Sequence, residues 1–433
     1  MTILTQTNSD SSDGLRNHDT QAAQDLADER RGMAMFNVWR RAGYVILAGT
    51  AGLGAPATAA TPEKIVHVFI GYDGSQPVAE LSNVNGILFG VTSEGGAPGG
   101  GTIFSVTPEG VPKVLHSFGV AGDGANPAAR LIEMGGMLYG TTQNGGTAPC
   151  GCGTVFSTTL SGQVTTLHSF AGGTDGANPV ARLTELNGTL YGTTMSGGTN
   201  GAGAVFSVTA SGTESVLYSF GGSGDGGDGS SPAAGLENVD GVLYGTTSSG
   251  GTGTYCFRGC GTVFSITPAG VETVLYSFKG FHWGGGQRSS DGAVPMAGVI
   301  NFGGTLYGTT SEGGFFNFGT VFSITLTGAE RVLHSFSGPS KRDGQQPVGA
   351  LAEFNGDLYG TTKAGGEGNG TVFVIPFKKG SPAKESVVYF FGGVSEGDGT
   401  APAAGLLPVK SALYGTTIGG GIGGTGTVFR FAP

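Results

Sequence analysis

The sequence predicts an all-β fold: a seven-bladed β-propeller of four-stranded antiparallel blades, closed by an N-terminal strand that completes the last blade. Three observations carry this expectation. Glycine supplies 87 of 433 residues, about one in five against a usual share of roughly 7%. Four short motifs recur in a fixed order, seven times each. The repeat region also opens on an orphan strand motif and ends one strand short.

Such a glycine content also suits disorder or collagen, and composition excludes both. Hydrophobic residues are 38% and charged residues only 12%, the reverse of a chain kept open by charge repulsion. The glycines have no three-residue period and proline numbers only 19, which rules out a triple helix. Many short strands joined by many turns remain.

The second strand of each unit is Leu-Tyr-Gly-Thr-Thr or a close variant, with its aromatic at Phe89, Tyr139, Tyr191, Tyr244, Tyr307, Tyr359 and Tyr414. The third is Gly-Thr-Val-Phe, with its aromatic at Phe104, Phe156, Phe206, Phe264, Phe322, Phe373 and Phe429. The fourth, Val-Leu-His/Tyr-Ser-Phe, ends at Phe69, Phe118, Phe170, Phe220, Phe278, Phe336 and Phe391. Asp-Gly-x-x-Pro then leads into the first strand, read as Pro-x-Ala-x-Leu, as in Pro179 to Leu183. β-branched and aromatic residues alternate with small polar ones between Gly, Pro and Asn, which is the strand signature. Asn85-Gly86, Asn187-Gly188, Asp240-Gly241 and Asn355-Gly356 favour two-residue hairpins between first and second strands. The orphan strand Ile65 to Phe69 supplies what the seventh unit lacks after Phe429, so the ring closes and protects its edges. A right-handed solenoid is the alternative, and it leaves that mismatch unexplained.

Residues 1–59 read as a polar leader plus signal peptide, and 60–433 as the propeller. Arg30, Arg31, Arg40 and Arg41 precede an apolar run from Ala42 to Ala55, and Ala57-Thr58-Ala59 follows. That order describes a secretory signal with cleavage near Ala59 or Ala60; an uncleaved N-terminal anchor is the alternative, and Met33 or Met35 is an alternative start. Arg40-Arg41 matches a twin-arginine signal only weakly. The expected location is secreted, periplasmic or cell-surface, with no membrane span in the mature domain. Cys150 with Cys152, and Cys256 with Cys260, form two close pairs, most simply loop-stapling disulfides in an exported chain. Zinc is the rival reading, but these spacings are not those of zinc fingers and no His lies nearby in sequence. The net charge of −10 lacks the basic footprint that neutralises a phosphate backbone, so nucleic acid is excluded as a partner.

In a propeller the loops between second and third strands and between blades share one face, and nearly all the length variation lies there. The longest insertion joins blades four and five and carries Phe281, His282, Trp283 and Arg288. Neighbouring loops add Tyr255, Phe257 and Arg258 in blade four and Phe315, Phe316 and Phe318 in blade five. Aromatics with a few polar neighbours suit stacking on sugar rings or docking of a protein. The competing reading is that these rings plug long loops onto the blade tops. A second candidate is the channel, where Glu80, Arg130 and Arg182 replace the Gly or Ala of blades four to seven. That arc either reads an anionic or hydroxylated ligand or is an ion-pair cluster alone.

Other repeated residues read as structural. His67, His116, His168 and His334 share their register with Tyr218, Tyr276 and Tyr389, a blade-surface position that accepts either ring. Asp73, Asp123, Asp175, Asp228, Asp291, Asp343 and Asp398 precede Gly and suit Asx-type turns. No calcium loop, nucleophile elbow or zinc-protease helix motif occurs, and no cofactor or metal is expected.

Leu-Tyr-Gly-Thr-Thr, then Gly-Gly, then Gly-Thr-Val-Phe-Ser, recurring in order across residues 62–433, resembles the GloVer tandem repeat family of exported bacterial proteins. The resemblance implies an extracellular or surface protein and supplies no catalytic residues. Members often carry a C-terminal anchoring segment. This chain ends at Phe431-Ala432-Pro433, so secretion or periplasmic residence is expected over anchoring. The expected function is a non-catalytic binding or scaffold propeller, monomeric, with a glycan or extracellular protein on the variable-loop face. The alternative is a lyase or hydrolase acting on a polysaccharide or cyclic peptide, for which His282 and Arg288 are the only local acid-base pair.

Overall fold

The computed structural model describes residues 63–222, 227–281, 291–378 and 380–433, and the backbone alone of 283–284 and 287–288. The expected leader and signal segment, 1–59, and His282 lie outside the described residues.

Seven four-stranded antiparallel sheets form the ring. Blade three is typical: Thr184–Leu186, Thr189–Thr194, Ala204–Thr209 and Glu214–Ser219 run from the axis outward. Asn187 and Gly188 turn the first hairpin with φ of 54° and 78°, the two positive values that a type I′ turn needs. Blade seven takes its outermost strand from the start of the repeats. Glu63–Val68 pairs with Thr427–Phe431, with Ile65 opposite Phe429. The ring is closed as the sequence predicts.

The core lies between blades. Tyr139, Val155 and Phe170 of blade two pack with Leu183, Leu190, Phe206 and Val208 of blade three, and the rings of Phe170 and Phe206 meet edge to face at 5.1 Å. The third- and fourth-strand phenylalanines are buried throughout, each contributing roughly 1.5–3 kcal/mol. The glycine of Leu-Tyr-Gly-Thr-Thr makes room for them. A Cβ on Gly192 would sit 2.5 Å from Cζ of Phe206.

One strand assignment needs correction. Pro-x-Ala-x-Leu is not the innermost strand; the ladder begins only after it, at Thr184–Leu186 in blade three. Proline lacks a donor, and the segment is instead tied to the preceding blade. The Thr193 hydroxyl donates to the Ala234 carbonyl at 3.1 Å, and Thr141, Thr246, Thr309, Thr361 and Thr416 repeat the bond, the last reaching Ala79 across the closure. The residue before each proline has positive φ: Gln76, Asn126, Asn178, Ser231, Val294, Gln346 and Ala401 lie between 53° and 57°. The amide of each donates to a carbonyl of the preceding blade, as Val294 does to Cys260 at 2.9 Å. Strained backbone persists where its surroundings over-determine it.

Candidate functional site

On the variable-loop face, blade four's loop is stapled by the Cys256–Cys260 disulfide; Cys150–Cys152 staples the matching loop of blade two. The first staple holds Phe257 outward, 90% exposed, with Tyr255 half exposed beside it. The Arg258 guanidinium lies 5.5 Å from the Phe257 ring. A Cβ on Gly280 would stand 2.6 Å and 2.7 Å from the two sulfurs and 3.6 Å from Cβ of Tyr255, so the blade four to five connection runs against the stapled loop. In that connection Phe281 is half-buried, and Trp283 pairs through its backbone with Arg288.

Blade five separates its three rings. Phe315 is exposed and meets Phe316 edge to face at 4.8 Å. Phe316 is half-buried beneath the Lys341 ammonium at 4.4 Å, a cation the sequence reading did not include. Phe318 packs into the core between blades five and six. Its ring would meet a Cβ on Gly338 at 2.8 Å, so it plugs the loop onto the blade.

In the channel, Arg130 pairs with Glu80 at 2.6 Å, and Arg182 with Glu237 at 3.0 Å. Glu237 belongs to the innermost strand of blade four and was not among the expected channel residues. Burial pushes the Glu80 carboxyl up in spite of Arg130 and Arg182 beside it. A cavity of about 250 Å³ opens between the inner strands of blades one to three, lined by Ser82, Arg130, Glu133 and Arg182 among others. Each guanidinium that borders it already has a carboxylate partner.

The outer rim holds an arrangement that sequence reasoning missed. A one-residue bulge in the outermost strand, such as that between Val216 and Tyr218, re-aims the following ring. That ring then meets the aspartate of the next connection. His67, His116, His168 and His334 approach Asp73, Asp123, Asp175 and Asp343 at 2.9–3.2 Å. Tyr218, Tyr276 and Tyr389 donate to Asp228, Asp291 and Asp398 at 2.6–3.0 Å. The aspartates also accept from backbone beyond the strand, as Asp343 does from Ser337 at 2.8 Å. The position accepts either ring, as expected, because each bonds the aspartate, and the aspartate is not confined to a local Asx turn. At five blade junctions a glutamate from the following blade joins the pair. Burial, together with the neighbouring aspartate, pushes Glu63, Glu214, Glu272, Glu330 and Glu385 up to about 7. The shared register of His and Tyr was the available signal; the bulge that aims them was not legible.

Among the described residues no helix is long and apolar enough to cross a membrane. Comparison with curated proteins finds none that matches. Among solved structures, virginiamycin B lyase from Staphylococcus aureus is similar at TM-score 0.52 and 13% identity, over 86% of this chain and 98% of that one. An ancestral GH74 enzyme is similar at TM-score 0.52 and 12% identity, over 83% of this chain and 48% of that one. At such identities the likeness is one of fold. The family model of the Gloeobacter/Verrucomicrobia repeat matches residues 55–257 and 256–433, and the chain, with its seven repeated blades, belongs to that family.

Proposed function

We propose that residues 60–433 are the mature part of an exported binding propeller whose variable-loop face, at blades four and five, recognises a glycan. The observation that carries this reading is Phe257: a ring 90% exposed on a loop stapled by Cys256–Cys260, with Arg258 against it. Presenting a large apolar ring to water is unfavourable unless something covers it, and a stapled loop loses little entropy on binding. Sugar faces stack on such rings while an adjacent guanidinium bonds hydroxyls. Tyr255, Phe315 and Phe316 border the same face, with Phe281, His282, Trp283 and Arg288 on the connection between the two blades.

The test is a glycan array probed with the full chain and with Phe257→Ala and Trp283→Ala. Saccharide binding that either substitution weakens tenfold or more, without polysaccharide cleavage, supports the reading. Binding unchanged in both variants, or turnover abolished by His282→Ala, overturns it.

A further inference from the structure

The two blade junctions that combine histidine with glutamate differ from the other five. At the junction of blades five and six, His334 Nε2 lies 3.2 Å from Asp343 Oδ2 and 3.6 Å from Glu385 Oε2. At the junction of blades two and three, His168 Nε2 lies 3.1 Å and 3.2 Å from the two oxygens of Asp175, with Glu214 completing the group. In each set the donor atoms all lie within 4.8 Å of one another. A tetrahedral zinc ion with bonds of 2.0–2.2 Å holds its ligand atoms about 3.3–3.6 Å apart, and the two His334 distances lie close to that range.

A second observation is independent of this spacing. Glu385 is 8% exposed, and its Oε1 is buried without a hydrogen-bond partner. Glu214, a half-buried residue, has a buried Oε1 without a partner as well, and so do Glu272 and Glu330 at the tyrosine junctions, so the unpartnered oxygen marks the glutamate position and the imidazole is what sets these two junctions apart. A buried carboxylate oxygen without a partner costs free energy. Once both carboxyls are ionised, the single proton of a neutral imidazole cannot serve the two at once, and each group then holds more acceptors than donors. A cation supplies what is missing. The remaining contacts suit ligand orientation: Asp343 accepts from the Ser337 amide and hydroxyl and from the Gly344 amide, and Asp175 from the Ala171 amide. These bonds fix the carboxylates in place, as hydrogen bonds from surrounding groups do for metal ligands, and Asp228, Asp291 and Asp398 at the tyrosine junctions accept comparable ones. Asp175 and Glu214 also line an open cavity of about 700 Å³, a route for the ion and space for a water ligand.

We infer that His168–Asp175–Glu214 and His334–Asp343–Glu385 are two divalent transition-metal sites of the zinc type, each with one imidazole and two carboxylate ligands. One nitrogen with two oxygens suits zinc better than the all-oxygen shells of calcium or magnesium. The other junctions provide an internal contrast. His67 and His116 have Pro112 and Val164 where the glutamate would stand. Tyr218, Tyr276 and Tyr389 bring a hydroxyl in place of the imidazole, so among the described residues no nitrogen ligand joins those groups.

The test is titration of the chelator-stripped full chain with Zn²⁺ against a chromophoric chelator, with Ca²⁺ in parallel. Two zinc ions per chain are expected, bound at least a hundredfold more tightly than calcium. His334→Tyr recreates the tyrosine junction found three times in this chain and keeps the bond to Asp343, so it preserves the fold while removing one zinc; Glu385→Gln weakens the same site. The pair His168→Tyr with His334→Tyr binds none, and its melting temperature no longer rises with zinc. Failure of the wild type to bind zinc at micromolar concentration overturns the inference, as does undiminished stoichiometry in the double variant or a preference for calcium.

Discussion

Gly192 lies directly against Phe206: a Cβ there would stand 2.5 Å from Cζ of the ring and 2.9 Å from Cδ2 of Leu183. The second strand of blade three is thus bare at one position because the third strand's ring fills it. Gly192→Ala is expected to lower stability by about 2 kcal/mol through overpacking. Gly188→Ala, where a Cβ meets nothing within 4 Å but φ is 78°, should cost about 1 kcal/mol of backbone strain. Urea unfolding midpoints measure both, and equal losses would contradict the packing argument.

Ala401 occupies left-handed backbone, φ 55°, ahead of Pro402. In blades two and three the same position is asparagine, and Asn126 and Asn178 donate side-chain bonds to Ser93 and Gln143 carbonyls at 2.9 and 3.1 Å. Ala401→Asn should stabilise the chain by about 1 kcal/mol, since asparagine tolerates this conformation and gains an equivalent bond. A lowered melting temperature would show that the site has no room for the amide.

Thr416 and Ala79 hold blade seven to blade one by a hydroxyl-to-carbonyl bond of 3.1 Å. Thr416→Val keeps the volume but leaves the buried carbonyl without its donor. The expected loss is about 1 kcal/mol, read from thermal unfolding. The chain already carries valine at the matching position of blade one, Val91, so the fold should survive.

The rim glutamates make stability depend on pH. Glu330 is raised from 4.5 to about 7 by burial and by Asp291, so between these values the folded chain holds a proton that the unfolded chain has released. Its contribution to stability is full below pH 4.5 and falls as pH rises to 7. Glu214, Glu272, Glu385 and Glu63 act in the same sense. The metal-free chain should therefore melt at a higher temperature at pH 5 than at pH 8. Glu330→Gln, which stays neutral, should raise the pH 8 value and narrow the gap; a wider gap would place the dependence elsewhere.

Much of the fold is legible because it repeats. Asn187-Gly188 names its own turn type, and the pairing of Ile65 with Phe429 follows from counting strand motifs. The innermost strand was misplaced because Pro179 to Leu183 looks extended in sequence, whereas its partner is the preceding blade, a long-range relation without local pattern. Site geometry was less legible for the same reason. Phe257 and Phe318 look alike in sequence, yet one projects into water and the other fills a gap beside Gly338. The bulge before His334 depends on register, and the meeting of His334 with Glu385 depends on a neighbouring blade.

The closure of blade seven has a kinetic consequence. The Thr425 hydroxyl donates to the Phe69 carbonyl across 356 positions of sequence, within the junction where the first described strand joins the last. Bringing such distant segments together costs about 3 kcal/mol more in chain entropy than closing a ten-residue loop. During synthesis Glu63–Val68 must wait, unpaired, until Thr427–Phe431 has emerged, while the intervening blades pair locally. Ring closure is then the final step of folding, and an exposed Glu63–Val68 strand is the segment most open to pairing with another chain before that step.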